Sequence, residues 1–231
     1  MPTESDLLKQ QAAEVACGLV QDGMVVGLGS GSTVAFLVEA LGVRVQAGLR
    51  IRGIPTSERT AEWARRAGIP LIDFAELASR QIDLAVDGAD EVELGSLNLI
   101  KGRGGALLRE KIVARASKRF VVIVDESKIV ERLGRGVLPV EVVPFGWQVT
   151  ARELRALKLE SALRMTADGQ PFVTDNGHYT LDCTCDGFVE MTSLQTALDG
   201  VTGVVDHGLF LGMTSLVLVA GSDGVRELRS R

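Results

Sequence analysis

Two short segments carry side chains whose types and spacing could move a proton. Residues 87–91 (DGADE) follow a predicted buried strand, and crowded carboxylates such as these raise one another's proton affinity. Residues 101–106 (KGRGGA) follow another predicted strand and open a helix, so Lys101 could place its ammonium beside a developing oxyanion. For the first segment the alternatives are a divalent-cation site and a solvated acidic turn. For the second, the alternative is a solvated turn with a surface lysine.

Glu110 lies in the helix predicted after the second segment. At 100° per residue, small and apolar side chains lie within about 60° of it, so its carboxylate would be partly desolvated. Desolvation raises the pKa of a carboxyl toward the range useful to a general base. The alternative is a surface glutamate that pairs with Arg109 or Lys111. The opposite side of the helix, with Leu108 and Ile112, is also apolar, so the pattern does not determine which face of the helix is buried.

A glycine-rich segment, residues 27–33 (GLGSGST), lies between a predicted strand and a predicted helix. Its glycines allow close approach of a ligand, its hydroxyls are donors, and the helix start offers unpaired N–H groups that suit a phosphate. The segment is neither a Walker loop nor a dinucleotide fingerprint, because no lysine follows the last glycine and the glycine spacing differs. The alternative is a tight turn in which Ser32 caps the helix.

The elements that must position these segments alternate between strand and helix. The predicted strands cover residues 24–28, 49–54, 82–86, 98–100 and 120–124, and the predicted helices cover 6–20, 33–41, 57–67 and 105–118. Such alternation predicts right-handed crossovers and a mostly parallel sheet. Ligands bind beyond the carboxyl ends of the strands in these sheets, where all three segments would lie.

The second half of the chain has the order β-α-β-β-α-β, which is that of a ferredoxin-like unit. Residues 175–177 (DNG) predict a hairpin turn within it. The last predicted strand, residues 215–219, is an apolar run suited to a buried parallel sheet, so it should return to the first domain. We therefore predict an α/β protein: a Rossmann-like domain of residues 1–130 plus 208–231, with a smaller ferredoxin-like α+β domain inserted at 131–207.

Composition excludes some classes of partner. The net charge of −5 disfavours nucleic acid, because no basic surplus exists to neutralise phosphates, although an anionic small molecule could still bind locally. Apolar stretches run about seven residues, short of the roughly 20 that span a membrane, and the N-terminus is polar and acidic. We expect no membrane association and a cytoplasmic location.

The cysteines and histidines suggest no further chemistry. Three cysteines are too few for a disulfide framework, and Cys183 and Cys185 are interpreted as buried thiols rather than metal ligands. His178 and His207 lack the neighbours of a catalytic triad, so structural roles are expected for both.

Together these segments resemble ribose-5-phosphate isomerase of the A type. The matching stretches are 27–33, 87–91, 101–114 (KGRGGALLREKIVA), 125–128 (DESK) and 138–144 (LPVEVVP), in the family's order and spacing. The resemblance runs from Asp6 to the end of the chain. It implies an isomerase that interconverts D-ribose 5-phosphate and D-ribulose 5-phosphate through an enediolate, in the non-oxidative pentose phosphate pathway. It also implies no metal or other cofactor, and a homodimer or homotetramer.

The resemblance assigns roles to individual residues. Glu110 matches the family's proton acceptor, Lys128 matches a substrate-contacting lysine, and Lys9 aligns with a lysine that helps to hold the phosphate. The substrate-binding stretches match Ser30, Gly31, Ser32 and Thr33, then Asp87, Gly88, Ala89 and Asp90, and finally Lys101, Gly102, Arg103 and Gly104. Two positions depart from the family: Ser30 stands where many members have threonine, and Arg103 replaces a common glycine.

Our mechanistic hypothesis combines the analysis of the individual residues with the roles that the family resemblance implies. Glu110 transfers the proton between C2 and C1, Lys101 stabilises the oxyanion and Asp87 assists ring opening, while Asp90 holds substrate hydroxyls. The rival hypotheses are a sugar-phosphate sensor, an acyl- or CoA-transferring enzyme with Glu110 as nucleophile, and a divalent-metal isomerase. A sensor would be expected to carry a DNA-binding segment, and the sequence shows no helix-turn-helix.

Overall fold

The computed structural model describes residues 3–77, 80–185 and 190–229. The helices are α1 (Glu4–Gly18), α2 (Ser32–Gln46), α3 (Glu58–Arg66), α4 (Phe74–Leu77), α5 (Leu107–Arg115), α6 (Trp147–Ala156) and α7 (Met191–Asp199). Within the described ranges, none of these helices is long and apolar enough to cross a membrane.

A six-stranded sheet forms the first layer of the fold. Its strands are β1 (Val25–Leu28), β2 (Arg52–Pro55), β3 (Leu84–Asp87), β6 (Phe120–Asp125), β13 (Leu216–Gly221) and β14 (Gly224–Leu228). The order is β14-β13-β6-β3-β1-β2, and every pair is parallel except the hairpin of β13 and β14. The Rossmann-like prediction is confirmed. The prediction that the last apolar run joins the sheet of the first domain is also confirmed, since β13 pairs in parallel with β6.

Both faces of this sheet are covered, because its central strands are near-continuous runs of Val, Ile and Leu. On one face the small residues Ala12, Ala13 and Ala16 let α1 pack closely against the sheet and α2. On the other face Val113 and Ala114 place α5 against the strands. The sheet and the helices packed on its two faces bring the carboxyl ends of β1 and β3 to the same edge, beside the start of α5.

A second sheet contains β8 (Leu138–Val142), β9 (Leu159–Leu163), β10 (Tyr179–Cys185) and β11 (Val204–His207). Its order is β11-β8-β10-β9 with all pairs antiparallel, and α6 and α7 connect the strands in the predicted β-α-β-β-α-β order. The predicted hairpin turn is present, with the Thr174 N–H donating to the His178 carbonyl at 2.8 Å. The ferredoxin-like prediction is confirmed, while the domain boundaries at 130/131 and 207/208 stay predictions.

A third, smaller sheet contains β4 (Glu91–Glu93), β5 (Leu99–Ile100), β7 (Ile129–Val130) and β12 (Leu209–Phe210), in the order β12-β5-β4-β7. The strand expected at residues 98–100 therefore belongs to this sheet and not to the parallel one. The short connection between β4 and β5 explains the difference, because a parallel pair needs a crossover of a dozen or more residues. In this sheet β5 pairs with β12 and leads directly into Lys101.

Candidate active site

The three segments singled out in the sequence meet at one cavity of about 490 Å³. Predicted residues that line it are Ser30, Gly31, Ser32, Thr33, Gly88, Ala89, Asp90, Lys101, Gly102, Gly104, Glu110, Lys128 and Lys9. Asp87 and Arg103 do not line it. The strand ends, the start of α2 and the start of α5 position these residues, as expected for a parallel sheet.

Lys101 lies between two buried carboxylates. Its Nζ is 3.1 Å from Oδ2 of Asp87 and 3.2 Å from Oε2 of Glu110, and it donates to the Gly88 carbonyl at 2.6 Å. All three charged side chains are at least 95% buried. The alternatives of a surface lysine and of a surface glutamate paired with Arg109 or Lys111 are therefore wrong.

Burial dominates the proton affinity of Glu110. It raises the pKa of Glu110 to about 8, the negative charge of Asp87 adds to the increase, and Lys101 opposes it. The Lys101 ammonium, 3.2 Å from Oε2 of Glu110, is the group that holds the increase in check. Glu110 can therefore exchange a proton near neutral pH, as a general base must.

The pKa values of Asp87 and Lys101 are both raised in this arrangement. Burial raises the pKa of Asp87, but Lys101 and the N–H groups of Ser30 and Gly88, at 3.0 and 2.7 Å from Oδ1, oppose the increase. Burial lowers the pKa of Lys101, but the charges of Asp87 and Glu110 raise it by more, so the net change is upward. The cluster thus holds a permanent ammonium beside a titratable carboxyl.

The glycine-rich segment forms the start of α2. Gly31, with φ of +103°, is the N-cap residue, and no side chain caps the helix, so the alternative in which Ser32 is the cap is wrong. The first N–H groups of α2 are therefore available at the cavity, where the helix dipole favours an anion. The Ser30 hydroxyl is turned into a buried cluster and lies 2.8 Å from the hydroxyls of both Thr56 and Ser57.

Arg103 contacts the cavity residue Asp90 through both its backbone and its side chain. Its N–H donates to Oδ2 of Asp90 at 3.0 Å, its Nε lies 3.9 Å from Oδ1 of Asp90, and the end of its guanidinium lies against Gly136. The side chain that replaces the family's common glycine therefore leaves the cavity open. Asp90 itself is half-buried and lines the cavity.

The two predicted lysines outside these segments both line the cavity. Lys9 comes from α1, and its Nζ lies 3.9 Å from Oδ1 of Asp6. Lys128 ends the 3₁₀ turn Glu126–Lys128, which follows β6. Both ammoniums are far less buried than Lys101, which suits the binding of an anion that must enter and leave.

The acidic segment does not gather its carboxylates into one cation site. Glu91 turns away from the cavity and accepts hydrogen bonds from the N–H groups of Gly134, Arg135 and Gly136. The Lys101 ammonium occupies the space beside Asp87. Among the described residues, no group of three or more His, Cys, Asp or Glu side chains is arranged to hold a metal ion.

Sequence reasoning missed the residues that flank Glu110. Lys111 was named only as a possible partner of a surface Glu110, but its ammonium is buried, pairs with Asp206 and donates to the His207 carbonyl at 2.6 Å. Arg109 donates to Oδ1 of Asn176 at 2.9 Å, near the tip of the predicted hairpin. Only contacts between distant segments distinguish these two side chains from solvated ones, so no local signal could have found them.

The histidines and cysteines are structural where they are described. His178 Nδ1 lies 2.9 Å from Oε1 of Glu141, and His207 Nε2 lies 3.1 Å from Oδ1 of Asp199, as the predicted structural roles require. Cys183 is a buried free thiol. The side chain of Cys185 lies outside the described residues.

Comparisons with known proteins agree with the site. The model of the family described as ribose 5-phosphate isomerase A (phosphoriboisomerase A) matches residues 52–224. A ribose-5-phosphate isomerase A from Gloeobacter violaceus is 57% identical over 224 residues, which cover 96% of each chain. One from Gluconobacter oxydans is 54% identical over 227 residues, which cover 97% of each chain.

Solved structures are similar over the whole fold. Ribose 5-phosphate isomerase A from Methanocaldococcus jannaschii has a TM-score of 0.93 at 39% identity, covering 98% of this chain and 100% of that one. A D-ribose-5-phosphate isomerase in complex with phospho-erythronic acid has a TM-score of 0.93 at 35% identity, with the same coverage.

The fold and the site together define an aldose–ketose isomerase. A buried carboxyl with a raised pKa, a buried ammonium and a helix start without a side-chain cap surround one cavity at the carboxyl edge of a parallel sheet. The match to the family model and the full-length similarity then specify the protein further. The chain belongs to the ribose 5-phosphate isomerase A family.

Proposed function

We propose that the cavity is the active site of an isomerase that interconverts D-ribose 5-phosphate and D-ribulose 5-phosphate, with Glu110 as the base. One observation carries the assignment: Glu110 lines the cavity while its Oε2 lies 3.2 Å from Lys101, in surroundings that raise its pKa to about 8. A base with such a pKa can both accept and return a proton at neutral pH.

The reaction moves one proton between neighbouring carbons. In the open-chain aldose, Glu110 takes the proton from C2, and the electrons move into the C1 carbonyl to give an enediolate. Glu110 then delivers the proton to C1, while the hydroxyl proton on the C2 oxygen passes to the C1 oxygen, so that C2 carries the ketose carbonyl and C1 carries a hydroxyl. Lys101 stabilises the negative charge on the enediolate oxygen, as a fixed donor that needs no rearrangement during the reaction.

The remaining cavity residues bind the substrate's polar groups. The segment Ser30–Thr33 with the start of α2, together with Lys128 and Lys9, supplies N–H groups and ammoniums for the phosphate and the polar ends. Asp90 accepts hydrogen bonds from sugar hydroxyls. Asp87 keeps Lys101 charged and in place, and its predicted part in ring opening stays a prediction because Asp87 does not line the cavity.

We also propose that the chain works as a cytoplasmic homodimer or homotetramer. Exposed apolar side chains on the inserted domain support association, since Phe145 is 94% exposed and Val149 is 51% exposed. Light scattering coupled to size-exclusion chromatography tests this, and a single monomer peak at assay concentrations would disprove it.

The test of the function is an assay that follows ribulose 5-phosphate formed from ribose 5-phosphate, with excess chelator present. Glu110→Gln should lower kcat by about 10²–10⁴-fold or more while KM stays close to that of the wild type. In D₂O, the wild-type product should carry solvent deuterium at C1 in part of the molecules, namely those in which Glu110 exchanges its proton with solvent before delivering it, and the substrate's own proton in the rest. A wild-type kcat in Glu110→Gln would show that another residue is the base, and activity that the chelator abolishes would favour a metal-dependent isomerase.

A further inference from the structure

Arg164 lies outside the cavity, in the inserted domain, directly after β9. Its side chain is 13% exposed, and its guanidinium is held from two directions. Asp182 on the neighbouring strand β10 accepts from Nε at 2.9 Å and also from Nη2, and the Phe172 ring centre lies 5.7 Å from Cζ. A carboxylate bound in this bidentate way and a stacked ring fix the plane of the guanidinium.

The remaining guanidinium nitrogen reaches the loop that carries Lys101. Nη1 donates to the carbonyls of Gly102 and Arg103, both at 3.0 Å. These carbonyls belong to irregular backbone between β5 and α5, where Gly102 has φ of +110°. The Gly102 carbonyl also accepts from the Gly105 N–H at 3.0 Å. Because no strand or helix holds the rest of this backbone, Arg164 supplies hydrogen bonds that such an element would otherwise provide.

These two bonds orient the N–H groups of the loop. The carbonyl and N–H of a trans peptide point in opposite directions, so Arg164 turns the N–H groups of Arg103 and Gly104 away from the inserted domain. The first of these N–H groups donates to Asp90 at 3.0 Å. The second belongs to Gly104, which lines the cavity.

Phe172 supports the same loop at its other end. A Cβ at Gly105 would lie 2.4 Å from Cζ of Phe172, so the ring packs directly against the backbone there. At the start of the loop, the Lys101 N–H donates to the Gly208 carbonyl at 2.9 Å. Phe172 of the inserted domain and Gly208, just before β12, therefore hold the loop at its two ends, and Arg164 contacts its centre.

We propose that Arg164 is a positioning residue for the isomerisation, which holds residues 101–104 so that Lys101 and the Gly104 N–H meet the enediolate. Arg164 touches neither the substrate nor the reacting atoms, and the inference rests on the proposed function of the cavity. This role gives the inserted domain a part in catalysis, because the residues that fix the Arg164 guanidinium all come from that domain.

The experiment compares Arg164→Ala and Arg164→Lys with a matched control, Arg155→Ala. Arg155 lies on α6 of the same domain, and its pair with Glu160 at 3.5 Å is exposed. We expect kcat/KM of Arg164→Ala to fall about 10²-fold, because small misplacements of a catalytic group cost that much. The control should keep the wild-type value, since an exposed ion pair contributes little.

Two further readouts separate positioning from loss of structure. Guanidinium ion, added below denaturing concentration, should restore at least about tenfold of the lost kcat/KM in Arg164→Ala, whereas methylammonium at equal ionic strength should not. Phospho-erythronic acid, whose carboxylate resembles the planar enediolate, should inhibit Arg164→Ala more weakly than the wild type, by a larger factor than the rise in KM.

The possible outcomes are distinguishable. If the wild type lacks isomerase activity, the proposed function fails before Arg164 is considered. If the wild type is active and Arg164→Ala stays within about threefold of it, or loses activity that guanidinium does not restore, the positioning role is wrong. If Arg164→Ala does not fold, Arg164→Lys decides, because lysine keeps the charge but lacks the planar guanidinium that reaches both Asp182 and the loop. A wild-type kcat/KM in Arg164→Lys would overturn the proposal. A loss of about tenfold with an unchanged melting temperature would support it.

Discussion

The Lys101 ammonium lies 3.2 Å from the Glu110 carboxylate, and both side chains are almost fully buried although one comes from a loop and the other from a helix. Asp87 completes the group at 3.1 Å from the same ammonium. Two carboxylates and one ammonium carry a net charge of −1, so one bound proton neutralises the cluster. This is the physical basis for assigning proton transfer to Glu110.

Replacing Lys101 tests its role as the stabiliser of the oxyanion. Lys101→Met should lower kcat by about 10²–10³-fold, because the enediolate loses its fixed donor. It should also destabilise the fold by about 3 kcal/mol, since two carboxylates lose their buried partner. Steady-state kinetics and urea unfolding measure the two effects. Lys118→Met is the control, because Lys118 forms an exposed pair with Asp83, and a comparable loss in that variant would contradict the prediction.

The pH dependence of the reaction follows from the pKa of Glu110. The base must be ionised in the free enzyme, so kcat/KM should rise with pH and level off above about 8. Below that value the rate should fall about tenfold per pH unit. Lys101→Met should move the midpoint upward, because Lys101 opposes the increase in the pKa of Glu110. A wild-type midpoint near 4.5, the ordinary value for a glutamate, would contradict the prediction.

Gly29, directly after β1, allows the Asp87 side chain to approach the carboxyl end of that strand. A Cβ at Gly29 would lie 2.2 Å from Cγ and Oδ1 of Asp87, so Gly29→Ala must displace that carboxylate and the Lys101 ammonium beside it. We expect about a 10²-fold loss of kcat/KM. Gly18→Ala is the control, because a Cβ at Gly18 meets nothing within 4 Å. Equal activity in the two variants would show that the Asp87 position is not critical.

The Lys111 side chain connects α5 to the end of the inserted domain. Its ammonium pairs with Asp206, donates to the His207 carbonyl and lies 5.0 Å from the centre of the Phe210 ring. Lys111→Met should lower the free energy of unfolding by about 3 kcal/mol, because it leaves Asp206 without its partner. Thermal and urea unfolding measure the change. The double variant Lys111→Met with Asp206→Leu should recover part of the loss, and additive losses would contradict a direct pair.

Local patterns were sufficient to predict the class of fold and most of the longer elements, but not the short strands β4, β7 and β12 or the edge strand β14. The alternation of apolar runs with amphipathic segments placed the strands of the parallel sheet, and the turn at residues 175–177 placed the hairpin. These patterns are local because burial of one strand or helix depends on spacings within a few residues. The strand at residues 98–100 was assigned to the wrong sheet, since the partner of a two-residue strand depends on contacts distant in sequence.

The sequence by itself determined the fold class, the segments that form the site and the family to which they belong, because the positions of strand ends and helix starts follow from the spacing of residues that are close in sequence. Only the tertiary structure decided which charges are buried together. Lys101, Glu110 and Asp87 acquire their proton affinities from one another, and Lys111 and Arg164 acquire their partners from the inserted domain. Desolvation and charge pairing depend on three-dimensional distance, which residue order alone does not specify.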